Sequence, residues 1–294
     1  MFKGSIVALI TPFESSGEID FRALQKLVTL HLDAGTDGIV VAGSTGESIN
    51  LRTGEVAALL DAVVSQVAGQ VPVLAGTGNA STERAIAATQ LAESLGASGA
   101  LVVTPCYNRP PQHGLAAHFR AVADSSDLPI VLYNVPSRTG VDLLPGTVRE
   151  LAKHPNIVAL KEAIGSVERN QQLLDFCNDE FYLLSGDDPT CVQVLEMGAR
   201  GVISVAANVV PRQFRQLCQA AERGDFDQAR QIEGELQELY DVLMLESNPI
   251  PVKWAMHEMS LCGPVLRLPL VELSPQHRTA VHRCLAKLGV LGDQ

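Results

Sequence analysis

The chain has 294 residues, 46% of them hydrophobic and 19% charged, with a net charge of -11. That balance describes a globular chain with room for a sizeable core and excludes a disordered one. Acidity without a Lys/Arg run argues against nucleic acid or an anionic membrane as the main partner, and no apolar run approaches the ~20 residues needed to span a bilayer.

The first element is SIVALIT, from Ser5, inside an apolar run that Pro12 ends. It lacks the apolar region and small-residue cleavage site of a signal peptide and is read as a strand. Further strand-like runs follow: GIVVAG from Gly38, PVLAGT from Pro72, GALVVTP from Gly99 and PIVLYNV from Pro129. IVALKEA from Ile157, FYLLSGD from Phe181 and GVISVAAN from Gly201 complete the set. All are nearly continuous apolar runs, the pattern of parallel strands covered on both faces.

Amphipathic segments lie between them. The first is capped by Asp20 and stopped by Gly35. Thr53 to Ala68, Ser81 to Gly96, Pro111 to Asp124 and Pro145 to Lys153 follow, then Val167 to Cys177, Pro189 to Gly198 and Pro211 to Arg223. Pro or Ser/Thr at the start and Gly near the end is helix punctuation. Strand–helix units repeated in this way predict a (β/α)8 TIM barrel over residues 1–223, because right-handed crossovers let them close. An open doubly wound sheet is the runner-up; it would more often carry a Gly-rich phosphate turn after its first strand, where this chain has TPFESSGE. Phe226 to Leu245, Pro249 to Leu261 and Ser274 to Leu288 predict a three-helix C-terminal appendage over residues 224–294.

The six cysteines make no CxxC pair and the seven histidines no metal pattern. Reduced thiols, a cytoplasmic location and no metal site are the simplest expectations.

In such a barrel the chemistry sits at the C-terminal ends of the strands. Those ends carry Gly43-Ser44-Thr45-Gly46-Glu47, Tyr107, Tyr133, Arg138, Lys161-Glu162 and Asp187-Asp188. Lys161 interrupts an apolar run. A lysine there either snorkels its ammonium to water or, deprived of water, serves as an amine nucleophile on a carbonyl. Nearby hydroxyls for proton transfer and an arginine for a carboxylate are the companions that Schiff-base chemistry needs. The GSTGE loop is either a tight turn whose hydroxyls cap the next helix or a binding loop for a small carboxylate. Asp187-Asp188 read as a turn and helix cap, and Lys253, on a predicted helix, as structural.

Taken together, GSTGES, VTPCYNRP, LYNVPSRTG, ALKEAIG, LLSGDD, GVISVAANVVP and NPIPVKWA resemble the dihydrodipicolinate synthase family of pyruvate-dependent class I aldolases and lyases, in order along essentially the whole chain. The resemblance implies that Lys161 forms a Schiff base with pyruvate. The enamine then adds to L-aspartate 4-semialdehyde, and cyclisation gives 4-hydroxy-tetrahydrodipicolinate for diaminopimelate and lysine synthesis. It also implies that Thr45 and the carbonyl of Ile203 bind pyruvate. Tyr133, Ser44 and Tyr107 form a proton relay, with Tyr107 supplied across a dimer interface. Arg138 meets the second carboxylate. No metal or organic cofactor is implied, and a homotetramer built as a dimer of dimers, or a homodimer, is expected.

Three features depart from the family pattern. Ser44 stands where threonine is usual, and Cys106 where a second tyrosine precedes Tyr107. Thr53, Val56, Ala80 and Arg84 replace residues of the L-lysine cleft, so feedback by lysine is expected to be weak or absent. N-acetylneuraminate lyase or keto-deoxy-sugar acid aldolase activity, or a non-catalytic binding role, are the alternatives.

Overall fold

A computed structural model of the chain describes residues 1–291. It follows the alternation in the sequence: β1 Gly4–Ala8, α1 Phe21–Ala34, β2 Gly38–Val41, α2 Thr53–Val67, β3 Val73–Gly76, α3 Thr82–Ser94, β4 Gly99–Val103 and α4 Gln112–Ala123. Then come β5 Ile130–Asn134, α5 Pro136–Thr139, α6 Pro145–Leu151, β6 Ile157–Glu162, α7 Val167–Leu174, β7 Tyr182–Ser185, α8 Cys191–Glu196, β8 Gly201–Ser204 and α9 Pro211–Glu222. The strands are parallel and form a closed barrel in the order β1 to β8, with Ile6 of β1 paired to Ile203 of β8. Closure disposes of the open doubly wound sheet and leaves no strand edge unpaired.

Local punctuation acts as its chemistry dictates. The Asp20 carboxylate accepts the Ala23 N–H at 2.9 Å, and Gly35 ends α1 in the left-handed region at φ 74°. A glycine takes that backbone without the Cβ penalty. Two local features add to the sequence reading. Residues Pro136–Thr139, which carry Arg138, form a single helical turn, α5. The helix expected from Pro189 begins as a 3-10 turn at Asp188–Thr190 and becomes α-helical only at Cys191. Pro189 sits in this first turn, where its missing amide costs no intrahelical bond.

Alternation along each strand sorts the side chains into two cores. Ile6, Val40, Leu101, Tyr133, Leu184 and Ile203 belong to the cluster that fills the barrel, while Leu160, Leu183 and Val202 belong to the one beneath the helices. The period of two in a strand puts Tyr133 and Lys161 on the inner face and their successors, Asn134 and Glu162, on the outer one.

The last three helices are α10 Phe226–Leu243, α11 Ile250–Glu258 and α12 Pro275–Leu288. The first packs along α9, and α12 packs against α10 and α11. The segment between α10 and α11 reaches the ends of β2 and β5, where Asn248 meets Thr45 and Arg138. None of the helices among the described residues is long and apolar enough to cross a membrane.

Candidate active site

Lys161 is 5% exposed and its Nζ lies 4.2 Å from the centre of the Tyr133 ring. The two residues are paired in register across β5 and β6. An amine over an aromatic face, walled by Tyr133 and the stem of the adjoining strand, is not a lysine that snorkels to water. On the other side stands Gly186, whose missing side chain makes the space for the lysine: a Cβ there would lie 2.8 Å from Lys161 Cε. Gly186 is anchored by its own amide, which donates to the Glu162 carbonyl at 2.7 Å.

The outward neighbours of this pair form a clamp. Asn134 Nδ2 donates to both carboxylate oxygens of Glu162, at 3.2 and 3.0 Å, and to Asp142 at 2.8 Å. Arg169 of α7 donates from Nε to Glu162 at 3.2 Å and from Nη2 to Asp142 at 2.8 Å. Burial pushes the Glu162 carboxyl up, opposed by the Asn134 and Arg169 donors and the Ile164 amide. Buried ionised groups persist only when paired and hydrogen-bonded in this manner. The clamp ties β5 to β6 immediately behind the two residues that meet inside the barrel.

The loop after β2 is held from several sides. Thr11 Oγ1 donates to the Gly46 carbonyl at 2.7 Å, and Glu47 takes a left-handed backbone at φ 55°. The 3-10 turn that follows, Ser48–Asn50, has no side-chain cap, so the hydroxyls of Ser44 and Thr45 do not serve as caps. Thr45 is buried, and its Oγ1 accepts from Asn248 Nδ2 at 3.0 Å. Glu47 is paired with Lys253 at 2.5 Å, both side chains fully buried. Lys253 Nζ also donates to the Val265 carbonyl at 2.8 Å and lies 4.0 Å from the Phe13 ring centre. Burial lowers the Lys253 pKa, with the Glu47 charge acting against it. The α11 lysine is thus spent on an ion pair.

The remaining candidates are distributed unevenly. Ile203 is buried in the barrel cluster. Arg138, carried by α5, is exposed, and its Nη2 donates to the Asn248 carbonyl at 3.1 Å. Tyr107 is 95% exposed with a left-handed backbone at φ 70°. Such a backbone in a bulky residue is strained and is retained where surrounding structure or function requires it. Among the described residues no hydrogen bond joins Ser44, Tyr133 and Tyr107 within one chain. Asp187 accepts from Thr190 Oγ1 at 2.7 Å, as a local turn. Asp188 instead accepts the amides of Val205 and Ala206, at 3.0 and 2.8 Å, and so fixes the loop that follows Ile203. Burial pushes the Asp188 carboxyl up, and the Lys161 charge is among the influences drawing it down. No group of three or more His, Cys, Asp or Glu among the described residues is placed to hold a metal ion, and the six cysteines are free.

The sequence reading places Glu47 and Glu162 at the strand ends and Lys253 as structural, but it does not give the Asn134–Glu162–Arg169 clamp, the Glu47–Lys253 pairing, or the parts played by Gly186 and Asn248. Glu47, Asn134, Glu162, Gly186, Asn248 and Lys253 do fall within the recognisable stretches GSTGES, LYNVPSRTG, ALKEAIG, LLSGDD and NPIPVKWA, which is the available signal; Arg169 falls in none of them.

Comparison with known proteins places this arrangement. The sequence model of the Dihydrodipicolinate synthetase family matches residues 1–288. The 4-hydroxy-tetrahydrodipicolinate synthase of Ectopseudomonas mendocina is 48% identical over 99% of this chain and 100% of its own. The synthase of Pseudomonas aeruginosa is 47% identical over the same shares. The crystal structure of the chloride-inhibited dihydrodipicolinate synthase from Acinetobacter baumannii complexed with pyruvate superposes with a TM-score of 0.97 at 43% identity, covering 99% of this chain and 100% of that one. None of these relatives lends support to a sugar-acid aldolase or a non-catalytic protein. A closed barrel with a buried lysine against a tyrosine, matched along its whole length by these synthases, belongs to the Dihydrodipicolinate synthetase family.

Proposed function

We propose that the chain condenses pyruvate with L-aspartate 4-semialdehyde to give 4-hydroxy-tetrahydrodipicolinate. The observation that carries this is the Lys161 amine, buried in the barrel and seated over the Tyr133 ring. Lys161 Nζ attacks the keto carbon, water leaves, and an iminium forms. Loss of a proton from the pyruvate methyl gives the enamine, whose carbon adds to the aldehyde. The amino group of the semialdehyde then attacks the iminium carbon and displaces Lys161, which returns as the free amine. Covalent activation through lysine supplies the electron sink without a separate cofactor.

Tyr133 is the proton donor and acceptor beside the iminium, relayed through Ser44 to the Tyr107 of a second copy. The outward direction of Tyr107 supports that route. Thr45 and the Ile203 carbonyl hold the pyruvate carboxylate end, and Arg138 receives the carboxylate of the semialdehyde as a charge-assisted pair. A dimer, or a tetramer formed from two such dimers, follows from the relay. The barrel of residues 1–223 carries the chemistry and the C-terminal region, described over residues 224–291, braces it; the last three residues of the expected appendage lie outside the described residues. An acidic chain with free thiols suits a cytoplasmic setting.

The test is a coupled assay with pyruvate and L-aspartate 4-semialdehyde, run beside sialic and keto-deoxy acids, with Lys161→Ala as control. Turnover with the semialdehyde alone, and a borohydride-stable pyruvate adduct on Lys161 that the variant lacks, are the expected outcomes. An unmodified Lys161 defeats the proposal.

A further inference from the structure

We infer that Asn248, supplied by the C-terminal helical region, is a positioning residue that aims both carboxylate-binding groups of the site. This rests on the roles proposed for Thr45 and Arg138. Asn248 touches both residues, although they stand 203 and 110 positions away in the chain. It does so with two different parts of itself. The side-chain amide Nδ2 donates to Thr45 Oγ1 at 3.0 Å. The main-chain carbonyl accepts from Arg138 Nη2 at 3.1 Å.

Hydrogen-bond polarity gives the first contact its consequence. A threonine hydroxyl has one proton and two lone pairs, whereas an ionised carboxylate only accepts. Thr45 therefore serves a substrate carboxylate only when its proton points at that carboxylate. An amide N–H on its lone pair leaves the proton free and restricts where it points. The reverse amide orientation would place the Asn248 oxygen against the hydroxyl and take the proton away from the substrate. In the orientation present, Asn248 Oδ1 is buried and accepts no hydrogen bond. The side chain forgoes that bond and keeps the Thr45 proton available.

The second contact does not involve the side chain. Every substitution at 248 leaves a main-chain carbonyl for Arg138. Side-chain variants therefore separate the pyruvate end of the site from the semialdehyde end, which a general loosening of the C-terminal region would not do.

The experiment measures kcat and both KM values for wild type, Asn248→Ala and Asn248→Asp, with the pyruvate dependence of borohydride trapping on Lys161 for each. Asn248→Ala is expected to raise the pyruvate KM about tenfold, the loss of one hydrogen bond that orients a group facing a charge. The semialdehyde KM and kcat should stay within about twofold of wild type. Asn248→Asp keeps the shape but can only accept from Thr45, and it adds a negative charge beside the substrate. It should raise the pyruvate KM by about a hundredfold. A pyruvate KM within about twofold of wild type in both variants, or equal rises in both KM values, overturns the inference. If Asn248→Ala does not fold, the shape-conserving Asn248→Asp decides it by the same criterion. Failure of wild-type Lys161 to trap pyruvate defeats the proposed chemistry itself. Normal wild-type trapping with indifferent Asn248 variants defeats only the role of Asn248.

Discussion

A Cβ placed on Gly186 would stand 2.8 Å from Lys161 Cε and 2.9 Å from Cγ. The glycine is thus the wall of the lysine's slot, and the Tyr133 ring closes the opposite side. Atoms that close cannot coexist, and the Gly186 amide is fixed to the Glu162 carbonyl, so the lysine must give way. Gly186→Ala should lower the rate of pyruvate trapping on Lys161 by at least about tenfold while the thermal midpoint changes little. Mass spectrometry of the borohydride-reduced protein, with circular dichroism beside it, reads the two quantities. Wild-type trapping in a folded variant would show that the slot is wider than the geometry states.

Ser44 offers the proposed relay a hydroxyl without the methyl that narrows a threonine's rotamers. Ser44→Ala should abolish proton transfer, and Ser44→Thr should keep or raise kcat. An active alanine variant would sink the relay. Because Tyr107 is exposed and bonded to neither partner in one chain, the relay also depends on assembly. Specific activity should fall on dilution in step with dissociation seen by analytical ultracentrifugation.

The Glu47–Lys253 pair has both members at 0% exposure. Lys253→Met leaves Glu47 buried without its cation, which should destabilise the fold by about 3–5 kcal/mol. The double variant Glu47→Gln, Lys253→Met should recover most of that loss, because no unpaired charge remains. Urea denaturation of wild type, Lys253→Met, Glu47→Gln and the double variant gives the coupling energy directly. Additive single effects would mean that the pair is not coupled.

Acid should weaken the protein through its buried histidines. Burial holds His31 down at about 3 and His118 at about 4. An unfolded histidine titrates at about 6.5, so between there and the folded values the unfolded state binds protons that the folded state refuses. Stability therefore rises with pH across that window and falls on acidification. Burial raises Asp188 and Glu162, so in the carboxylate range the folded state binds more protons and the slope is opposed. His31→Asn isolates the histidine contribution: its denaturation midpoint should change less than wild type's between about pH 7 and about pH 5. An unchanged slope would show that His31 does not stay neutral.

L-Lysine should bind weakly or not at all. Thr53, Val56, Ala80 and Arg84 alter the cleft that the family resemblance implies, and Cys106 removes a phenol beside Tyr107. Titration calorimetry with L-lysine should show no saturable heat, and tight binding would refute the expectation.

The barrel was legible because parallel strands covered on both faces must be apolar nearly throughout, so eight runs stood out. Lys161 was visible for the converse reason, as one charged residue that broke such a run. Gly186 was not, since its contribution is an absence of atoms and only the lysine opposite gives that absence meaning. The sequence reads Lys253 as structural, but its partner and that of Asn248 lay hidden by distance: Glu47 and Thr45 stand 206 and 203 positions away. No window of local periodicity spans such separations. The helical turn that bears Arg138 has four residues, too few for a helical period to register.

The bonds from Asn248, Lys253 and Arg267 to the first quarter of the chain also set an order of events during synthesis. Arg267 grips Glu55 through Nη2 at 2.6 Å and the Gly17 carbonyl at 2.8 Å. Residues near 45 leave the ribosome early, yet the partners that fix Thr45 and bury Glu47 emerge some two hundred residues later. At about 5–20 residues per second, a nascent barrel waits about ten seconds or more for them. During that interval the loop after β2 lacks the contacts that Asn248, Lys253 and Arg267 make to it in the full chain. A chain ending shortly before residue 248 would keep every barrel strand but lack the Asn248, Lys253 and Arg267 contacts that hold the loop after β2.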